Sequence, residues 1–246
     1  ATIDSTPMTS LSELSDRLWD GTDKTSDKGC HPFHPLYQIE DVADEVALYK
    51  GFSNVAVVKT EDGDVLIDTG SSHEVAQQRV FEKVRSWSKS PINTAIYTHG
   101  HVDHAYGLPI FIEEARQNAS KGIEIIAHEL VPARMDRYIL TDGFNTIINE
   151  RQFGETLEWP TDPIYPTKTY EGKLIWKVGG VQFEATHARG ETDDHTWIFL
   201  PEKRVIYAGD LFIWAAPNAG NPQKVQRYAH DWVRALRSMA RCDAKV

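Results

Sequence analysis

The chain has 246 residues, of which 41% are hydrophobic and 25% charged, so it can bury a sizeable core and is expected to be globular. Its formal net charge of −10 argues against nucleic acids and anionic membranes as partners, because both attract basic surfaces. No apolar run is long enough to span a membrane. An anionic small molecule stays open as a partner, because bound divalent cations would reverse the charge locally.

Residues 1–45 are predicted to form an N-terminal arm packed on the domain that follows. Apolar residues within 11–19 recur at helical spacing and predict a short amphipathic helix. The segment 30–37 contains two prolines and is predicted to be an extended loop. We expect His31 and His34 to belong to this loop rather than to a metal site.

Cys30 and Cys242 are far apart in the sequence, and neither lies in a Cys-x-x-Cys pair. Two free thiols are expected, and a single bridge stays open. The first residues lack a basic region followed by an apolar one, so we expect no signal peptide and a cytoplasmic location. Because the chain starts at Ala1, a processed N-terminus leaves a periplasmic or secreted location open.

From Val46 onward the sequence predicts a mixed α/β domain. An Asp-Gly pair at 62–63 predicts a hairpin turn, and Ser71 with Glu74 is typical of a capping box that opens a helix. Clustered prolines within 141–172 predict a long loop or flap beside the site. The predicted strands are 46–49, 53–58, 65–67, 94–98, 123–127, 174–178, 181–186, 196–200 and 205–207. The predicted helices are 75–87, 108–119, 131–140 and 223–239.

Three histidines and an aspartate then occupy six consecutive positions at the end of a predicted strand. His99 and His101 are two residues apart, so their side chains face the same way and can bind one metal ion. Gly100 between them lets the backbone turn tightly. Asp103 and His104 fall in a turn or helix start and can bind a second ion; Asp103 can also accept a proton from water. Imidazole suits zinc, copper, iron or nickel.

Three residues that follow other predicted strands are further candidates for this site. His187 closes a strand and can lie at the same sheet edge as His99. Asp210 follows a strand after Gly209, and a carboxylate in that position can bridge two cations. Asp68 also follows a strand and can accept a hydrogen bond from the ring N–H of a ligand histidine.

Residues 46–246 resemble the metallo-β-lactamase superfamily, on four segments that occur in the family's order: Ile67-Asp68-Thr69-Gly70, His99-x-His101-x-Asp103-His104, Thr186-His187 and Gly209-Asp210. The resemblance implies a catalytic domain with an α/β fold, an αββα sandwich of two mixed sheets flanked by helices. It also implies a dinuclear site, usually of zinc, at one edge of the sheets. The implied roles are His99, His101 and His187 for the first ion, Asp103 and His104 for the second, Asp210 as the bridge and Asp68 as the residue that orients a ligand.

Segments 190–197 and 209–228 resemble the alkyl-sulfatase-like branch of that superfamily. An apolar wall for an alkyl chain is expected from Phe212, Trp214 and the 141–172 segment, with plain core packing as the alternative. The candidates for substrate binding are Tyr106, Trp214, Asn218, Lys224 and Arg227.

The sequence departs from the family pattern at two places. Many relatives have a histidine where Glu191 stands, so Glu191 is open as a ligand, a proton-handling group or a solvated carboxylate. Relatives also supply a last histidine to the second ion from a turn beyond the terminal helix, whereas this sequence stops at Val246. The C-terminal strand and final ligand turn are therefore expected to be missing and the second ion to be held weakly. His195 is an alternative ligand.

The expected function is a dinuclear zinc hydrolase that attacks an ester-type bond of a small-molecule substrate with a metal-bound hydroxide. An alkyl sulfate ester is the candidate substrate, and Asp103 or Asp210 handles the proton. Iron or manganese in place of zinc and a homo-oligomer stay open. The alternatives are a β-lactamase or lactonase of the same superfamily, a mononuclear-iron persulfide dioxygenase, and an inactive, metal-poor binding module.

Overall fold

The computed structural model describes residues 10–27, 30, 34–154, 156, 158–213, 216–217 and 228–246. A seven-stranded sheet in this part of the chain follows the chain order β1 to β7. Strands β1 to β4 pair antiparallel, and β4 to β7 pair parallel. These strands are Gln38–Ala43 (β1), Val46–Lys50 (β2), Asn54–Val58 (β3), Asp64–Ile67 (β4), Ile92–Ile96 (β5), Glu124–His128 (β6) and Lys168–Tyr170 (β7).

A four-stranded antiparallel sheet has the order β11-β10-β9-β8. Its strands are Lys173–Val178 (β8), Val181–His187 (β9), Thr196–Leu200 (β10) and Val205–Tyr207 (β11), followed by a 3₁₀ turn at Gly209–Leu211 and a short ribbon of Phe212–Ile213 (β12) and Ala216–Pro217 (β13). The helices are Leu11–Trp19 (α1), Glu74–Trp87 (α2), Val102–Ala105 (α3), Pro109–Gln117 (α4), Val131–Leu140 (α5), Asp142–Phe153 (α6) and Ala229–Ala240 (α7).

The seven-stranded sheet packs against other elements on both faces. Successive side chains of a strand point to opposite sides, so neighbouring residues enter different clusters. Leu66 of β4 belongs to a buried cluster with Val84 of α2 and Phe111 of α4. The next residue, Ile67, belongs to a second cluster with Phe183 of β9, between the two sheets. Each fully buried aliphatic side chain of this kind stabilises the fold by about 1.5–3 kcal/mol.

The four-stranded sheet uses the same alternation to hold its outer helix. Ile198 of β10 lies in the cluster between the sheets, whereas the adjacent Trp197 lies in a third cluster with Trp232 and Met239 of α7. The layers therefore run helix, sheet, sheet, helix. This order confirms the expected αββα sandwich.

Two segments differ from the sequence prediction. The prediction of a loop or flap across 141–172 is wrong for α6 and for β7. Helix α6 buries none of its residues, and the clustered prolines that indicated a loop lie beyond its end. Residues 38–43, assigned to the N-terminal arm, form the edge strand β1, in which no residue is fully buried.

Several smaller expectations concern single residues and the chain ends. Cys30 and Cys242 are free thiols. His34 is exposed, and His31 lies outside the described residues. The first part of the predicted terminal helix, 223–227, also lies outside them. Over the described ranges, no helix has both the length and the apolar character needed to cross a bilayer.

Candidate metal centre

The candidate metal centre lies at one edge of the sandwich, where loops from both sheets meet. Strands β4 and β5 are parallel, with Ile67 opposite Ile96, so the segments that follow them leave the sheet side by side. Thr196, at the start of β10, donates its N–H to the carbonyl oxygen of Thr98 at 2.7 Å. This hydrogen bond ties the second sheet to the loop that carries the histidine cluster.

Asp68 organises the inner side of the centre. Its backbone has φ 58°, a left-handed conformation that aspartate adopts more readily than most residues. The fully buried carboxylate accepts hydrogen bonds from the Thr98 N–H at 2.7 Å and the Thr98 hydroxyl at 2.8 Å. Its Oδ2 also lies 2.7 Å from Nδ1 of His104. The His104 ring is thereby fixed with its other nitrogen, Nε2, towards the centre.

The Thr98 hydroxyl sets the tautomer of His99. Its single hydrogen goes to the Asp68 carboxylate, because an ionised carboxylate only accepts. The hydroxyl oxygen must then accept from Nδ1–H of His99, which lies 3.0 Å away. Nε2 of His99 is therefore unprotonated, and within the described part of the chain this buried atom has no hydrogen-bond partner. A buried lone pair without a donor is the state expected of a metal ligand.

Two groups of possible ligand atoms lie around His99, and the atoms within each group are all within 4.8 Å of one another. One group adds His101 and Glu191, with Oε2 of Glu191 3.0 Å from Nδ1 of His101 and 3.5 Å from Nε2 of His99. The other adds His104 and Asp210, with 3.4 Å between Nε2 of His104 and Oδ1 of Asp210.

Asp103 joins the second group from the short helix α3. Its Oδ2 lies 3.5 Å from Nε2 of His104, and its side chain is 27% exposed. Imidazole nitrogens with carboxylate oxygens are a donor set that suits zinc and also iron or manganese. The residues present therefore fit a transition-metal centre.

The pKa values of His99 and His104 are shifted in opposite directions. Burial lowers the pKa of His99 well below its ordinary value, with the neighbouring His104 adding to the effect. Burial would also lower the pKa of His104, but the carboxylates of Asp210, Asp103 and Asp68 outweigh it and raise that pKa well above its ordinary value. The site therefore favours positive charge beside His104 and a free lone pair on His99.

The two carboxylates also differ. Burial raises the pKa of Asp210 to about 6, against the attraction of His104. Burial would raise the pKa of Glu191 as well, but His101, whose Nδ1 lies 3.0 Å away, lowers it well below its usual range. Glu191 is thus held ionised beside the first pair of histidines, whereas Asp210 can take up a proton near neutral pH.

Asp194 and Arg134 support the turn between His99 and His101. Oδ2 of Asp194 accepts the Gly100 N–H at 2.8 Å, and Oδ1 accepts Nε–H of Arg134 at 2.6 Å. A Cβ at position 100 would lie 3.1 Å from both of these side chains, which explains the glycine. The two residues are 60 positions apart and belong to no motif, so this contact could not be predicted from the sequence.

His195 is committed to the backbone of Asp210. Its Nε2 accepts the Asp210 N–H at 3.0 Å, so that nitrogen is not available as a ligand in this arrangement. Burial lowers the pKa of His195 to about 3, which keeps the acceptor unprotonated. At Gly209, where φ is 53°, a Cβ would lie 2.6 Å from the same nitrogen. His195 and Gly209 together hold the turn that presents Asp210.

His187 lies in neither ligand group of the described residues. Its ring stacks on His128 with 3.8 Å between centroids, and its Nδ1 is 2.9 Å from the carbonyl oxygen of His195. The loop that follows β9 instead carries Glu191 to His99 and His101. Glu191 is one of the ligand candidates that the sequence left open, and the structure brings it close to both histidines.

The expected substrate-binding residues are only partly covered by the structure. Tyr106 is buried, with 2% of its surface exposed, and within the described chain its hydroxyl has no hydrogen-bond partner. Burial raises the pKa of this hydroxyl. Trp214, Asn218, Lys224 and Arg227 lie outside the described residues.

Fold and site together define a class of metal-binding sandwich proteins, and comparison with known families agrees. Residues 48–246 match the family model described as the Metallo-beta-lactamase superfamily. The chain therefore belongs to that superfamily.

Curated relatives narrow the resemblance to one branch. A linear primary-alkylsulfatase from Pseudomonas sp. is 25% identical over 173 residues, which cover 63% of this chain and 32% of the relative. An alkyl/aryl-sulfatase from Saccharomyces cerevisiae is 31% identical over 96 residues, 38% of this chain and 14% of the relative. The similarity to the alkyl-sulfatase-like branch is confirmed. The chain spans about a third or less of the length of these relatives.

Solved structures share the fold. The stereoselective inverting sec-alkylsulfatase Pisa1 from Pseudomonas sp. matches with a TM-score of 0.64 at 18% identity, over 83% of this chain and 36% of that one. A metallo-beta-lactamase from Pontibacter korlensis matches with a TM-score of 0.57 at 20% identity, over 83% of this chain and 85% of that one. At these low sequence identities the matches show only that the fold is shared.

Proposed function

We propose that this chain carries the metal centre of a hydrolase that cleaves ester-type bonds, with alkyl sulfate esters as its substrates. The observation that carries the proposal is the pair of ligand groups around the unprotonated, partnerless Nε2 of His99. The substrate class is supported by the relatives, which are described as alkylsulfatases.

The ligand assignment follows from the lone pair of His99, which can serve only one ion. His99, His101 and Glu191 would hold the first ion, so that Glu191 replaces His187 in the assignment made from the family resemblance. Asp103, His104 and Asp210 would hold the second ion, with Asp210 as the candidate bridge. Because each ion would then have three protein ligands of its own, the arrangement supports two ions rather than a single iron.

Two divalent ions, when bound, would lower the pKa of a coordinated water and offset the negative charge of a sulfate group. The chain's own carboxylates handle the proton that this water gives up. Asp103, whose side chain is partly exposed, and Asp210 are the two carboxylates placed to receive that proton. The products of the balanced reaction are the alcohol and hydrogen sulfate.

The test is sulfate release by the purified chain, measured by ion chromatography, with octyl sulfate, nitrocefin and a simple lactone as parallel substrates. We expect release from octyl sulfate that is lost after chelation and restored by Zn²⁺. Hydrolysis of nitrocefin or the lactone without sulfate release would favour the β-lactamase or lactonase alternative. One iron per chain would favour the persulfide dioxygenase, and no metal with no hydrolysis would favour an inactive binding module.

A further inference from the structure

Helix α6 presents apolar side chains that the protein core does not use. None of its residues is buried, although it carries two phenylalanines and an isoleucine with about half or more of their surface exposed: Phe144 at 66%, Ile147 at 50% and Phe153 at 46%. Such residues normally drive a helix onto a core. Two sets of contacts place this helix beside the metal centre instead.

The first set of contacts lies on the Asp103 side. Phe52, in the connection between β2 and β3, is 47% exposed, and its ring meets that of Phe153 edge to face with 6.0 Å between centroids. The next residue, Ser53, donates its hydroxyl to the carbonyl oxygen of Asp103. The aromatic pair Phe52–Phe153 is thus linked to the proposed ligand Asp103 through Ser53, which hydrogen-bonds to the Asp103 backbone.

The second set lies on the His101 side. The ring of Tyr138, on α5, is 6.1 Å from the ring of His101 and 5.3 Å from that of Trp159. The backbone N–H of Trp159 donates to the Thr146 hydroxyl of α6 at 3.2 Å. Helix α6 is therefore linked to both sides of the centre, through Tyr138 and Trp159 at one end and through Phe52 at the other.

We propose that the aromatic pair Phe52–Phe153 is a subsite for the linear alkyl tail of an amphiphilic anion whose head group binds at the metal centre. The metal centre would be cationic with two ions bound, and Ser53 links it to the half-exposed rings. A ligand with an anionic end and an apolar end would use both. The sulfate identity of the head rests on the proposed function; the apolar tail rests on the contacts of α6. Each methylene buried against such rings strengthens binding about fourfold.

The test measures binding without hydrolysis. Hexyl, octyl and decyl sulfonate, which carry a stable C–S bond, are titrated into the zinc-loaded chain by calorimetry below micelle-forming concentrations. In the wild type, affinity should rise steeply with chain length. In the double variant Phe52→Ala/Phe153→Ala, decyl sulfonate should bind about tenfold more weakly while hexyl sulfonate changes little. Replacing both residues by leucine should restore most of the chain-length dependence.

Phe144→Ala is the matched control, because Phe144 lies on the same helix and is more exposed. It should leave the affinities unchanged, and an equal loss in this variant would overturn the assignment to the aromatic pair. Chain-length dependence that survives the double variant would also overturn it. A third outcome is that the wild type is a dimer, the double variant is a monomer, and sulfonate binding is the same in both. That outcome would assign the surface of α6 to contact with a second copy of the chain instead.

The two proposals fail separately. Sulfonate binding that depends on the aromatic pair, without hydrolysis of any alkyl sulfate, would leave the tail subsite standing and remove the sulfatase proposal. Hydrolysis of alkyl sulfates with a KM that does not change with chain length would support the sulfatase proposal and remove the tail subsite.

Discussion

At the scale of single residues, the centre depends on groups that hold ligands rather than bind metal. Asp68 accepts hydrogen bonds from the Thr98 backbone, the Thr98 hydroxyl and the His104 ring. Asp68→Asn replaces one acceptor oxygen by a donor, so one of these hydrogens loses its partner. We expect zinc affinity to fall about 10- to 100-fold. Competition with a chromophoric chelator measures it, and Asp44→Asn, at a side chain 94% exposed, is the control that should change nothing.

The hydrogen bond between the Thr98 hydroxyl and His99 can be tested with two matched variants of Thr98. Thr98→Val keeps the side-chain shape but leaves Nδ1–H of His99 without an acceptor in a fully buried position. The free energy of unfolding of the metal-free protein should fall by about 1–3 kcal/mol. Thr98→Ser, which keeps the hydroxyl, should lose less. Urea unfolding compares the two variants, and equal losses would contradict the relay from His99 through Thr98 to Asp68.

A pH dependence of stability is expected from His128, outside the ligand groups. Burial lowers its pKa to about 4, helped by His187, so the folded protein keeps this ring neutral where an unfolded chain would protonate it. Below about pH 6.5 the unfolded state therefore binds more protons, and the free energy of unfolding should fall towards pH 4. Urea unfolding of metal-free protein at about pH 7.5 and about pH 5 measures the difference. His128→Gln should reduce it, and an unaltered difference would show that His128 plays no part.

The residue scale also shows how far spacing predicts a site. The i, i+2 spacing of His99 and His101 at a strand end predicted two side chains on one side, and they lie together beside Glu191. The choice between His187 and Glu191 could not be made from spacing, because it depends on the path of the loop after β9. The contact between Arg134 and Asp194 joins two separate elements and had no local signal at all.

At the scale of elements, the predictable parts were those with a strong burial pattern. Strands β2, β3, β4 and β5 are apolar and bounded by turns, and the sequence located them to within a few residues. The sequence prediction missed helix α6 because the clustered prolines further along the same segment indicated a loop.

Helices α2 and α6 should differ in local stability, because they bury different amounts of apolar surface. Helix α2 buries Val80 and Val84, whereas α6 buries nothing. The amide hydrogens of α6 should therefore exchange with solvent faster than those of α2. Hydrogen exchange followed by mass spectrometry checks this, and decyl sulfonate should slow exchange in α6 while leaving α2 unchanged. Equal protection of the two helices against exchange in the free protein would contradict this difference in packing.

At the scale of the whole molecule, the centre exists only because two sheets pack together. His99, His101 and His104 follow a strand of the seven-stranded sheet, whereas Glu191 and Asp210 follow strands of the four-stranded sheet. A metal ion between them would join the two halves of the sandwich. It would also supply positive charge to a chain with a formal net charge of −10, which would otherwise repel an anionic substrate.

In the proposed centre Glu191, and not His187, completes the first ligand group. The most direct test is the zinc content of the wild type and of the matched variants Glu191→Gln and His187→Gln, measured by native mass spectrometry and by elemental analysis after equal loading. We predict two zinc ions per chain in the wild type, the same content in His187→Gln, and the loss of one ion in Glu191→Gln. Loss of zinc from His187→Gln, with full content retained in Glu191→Gln, would contradict the account.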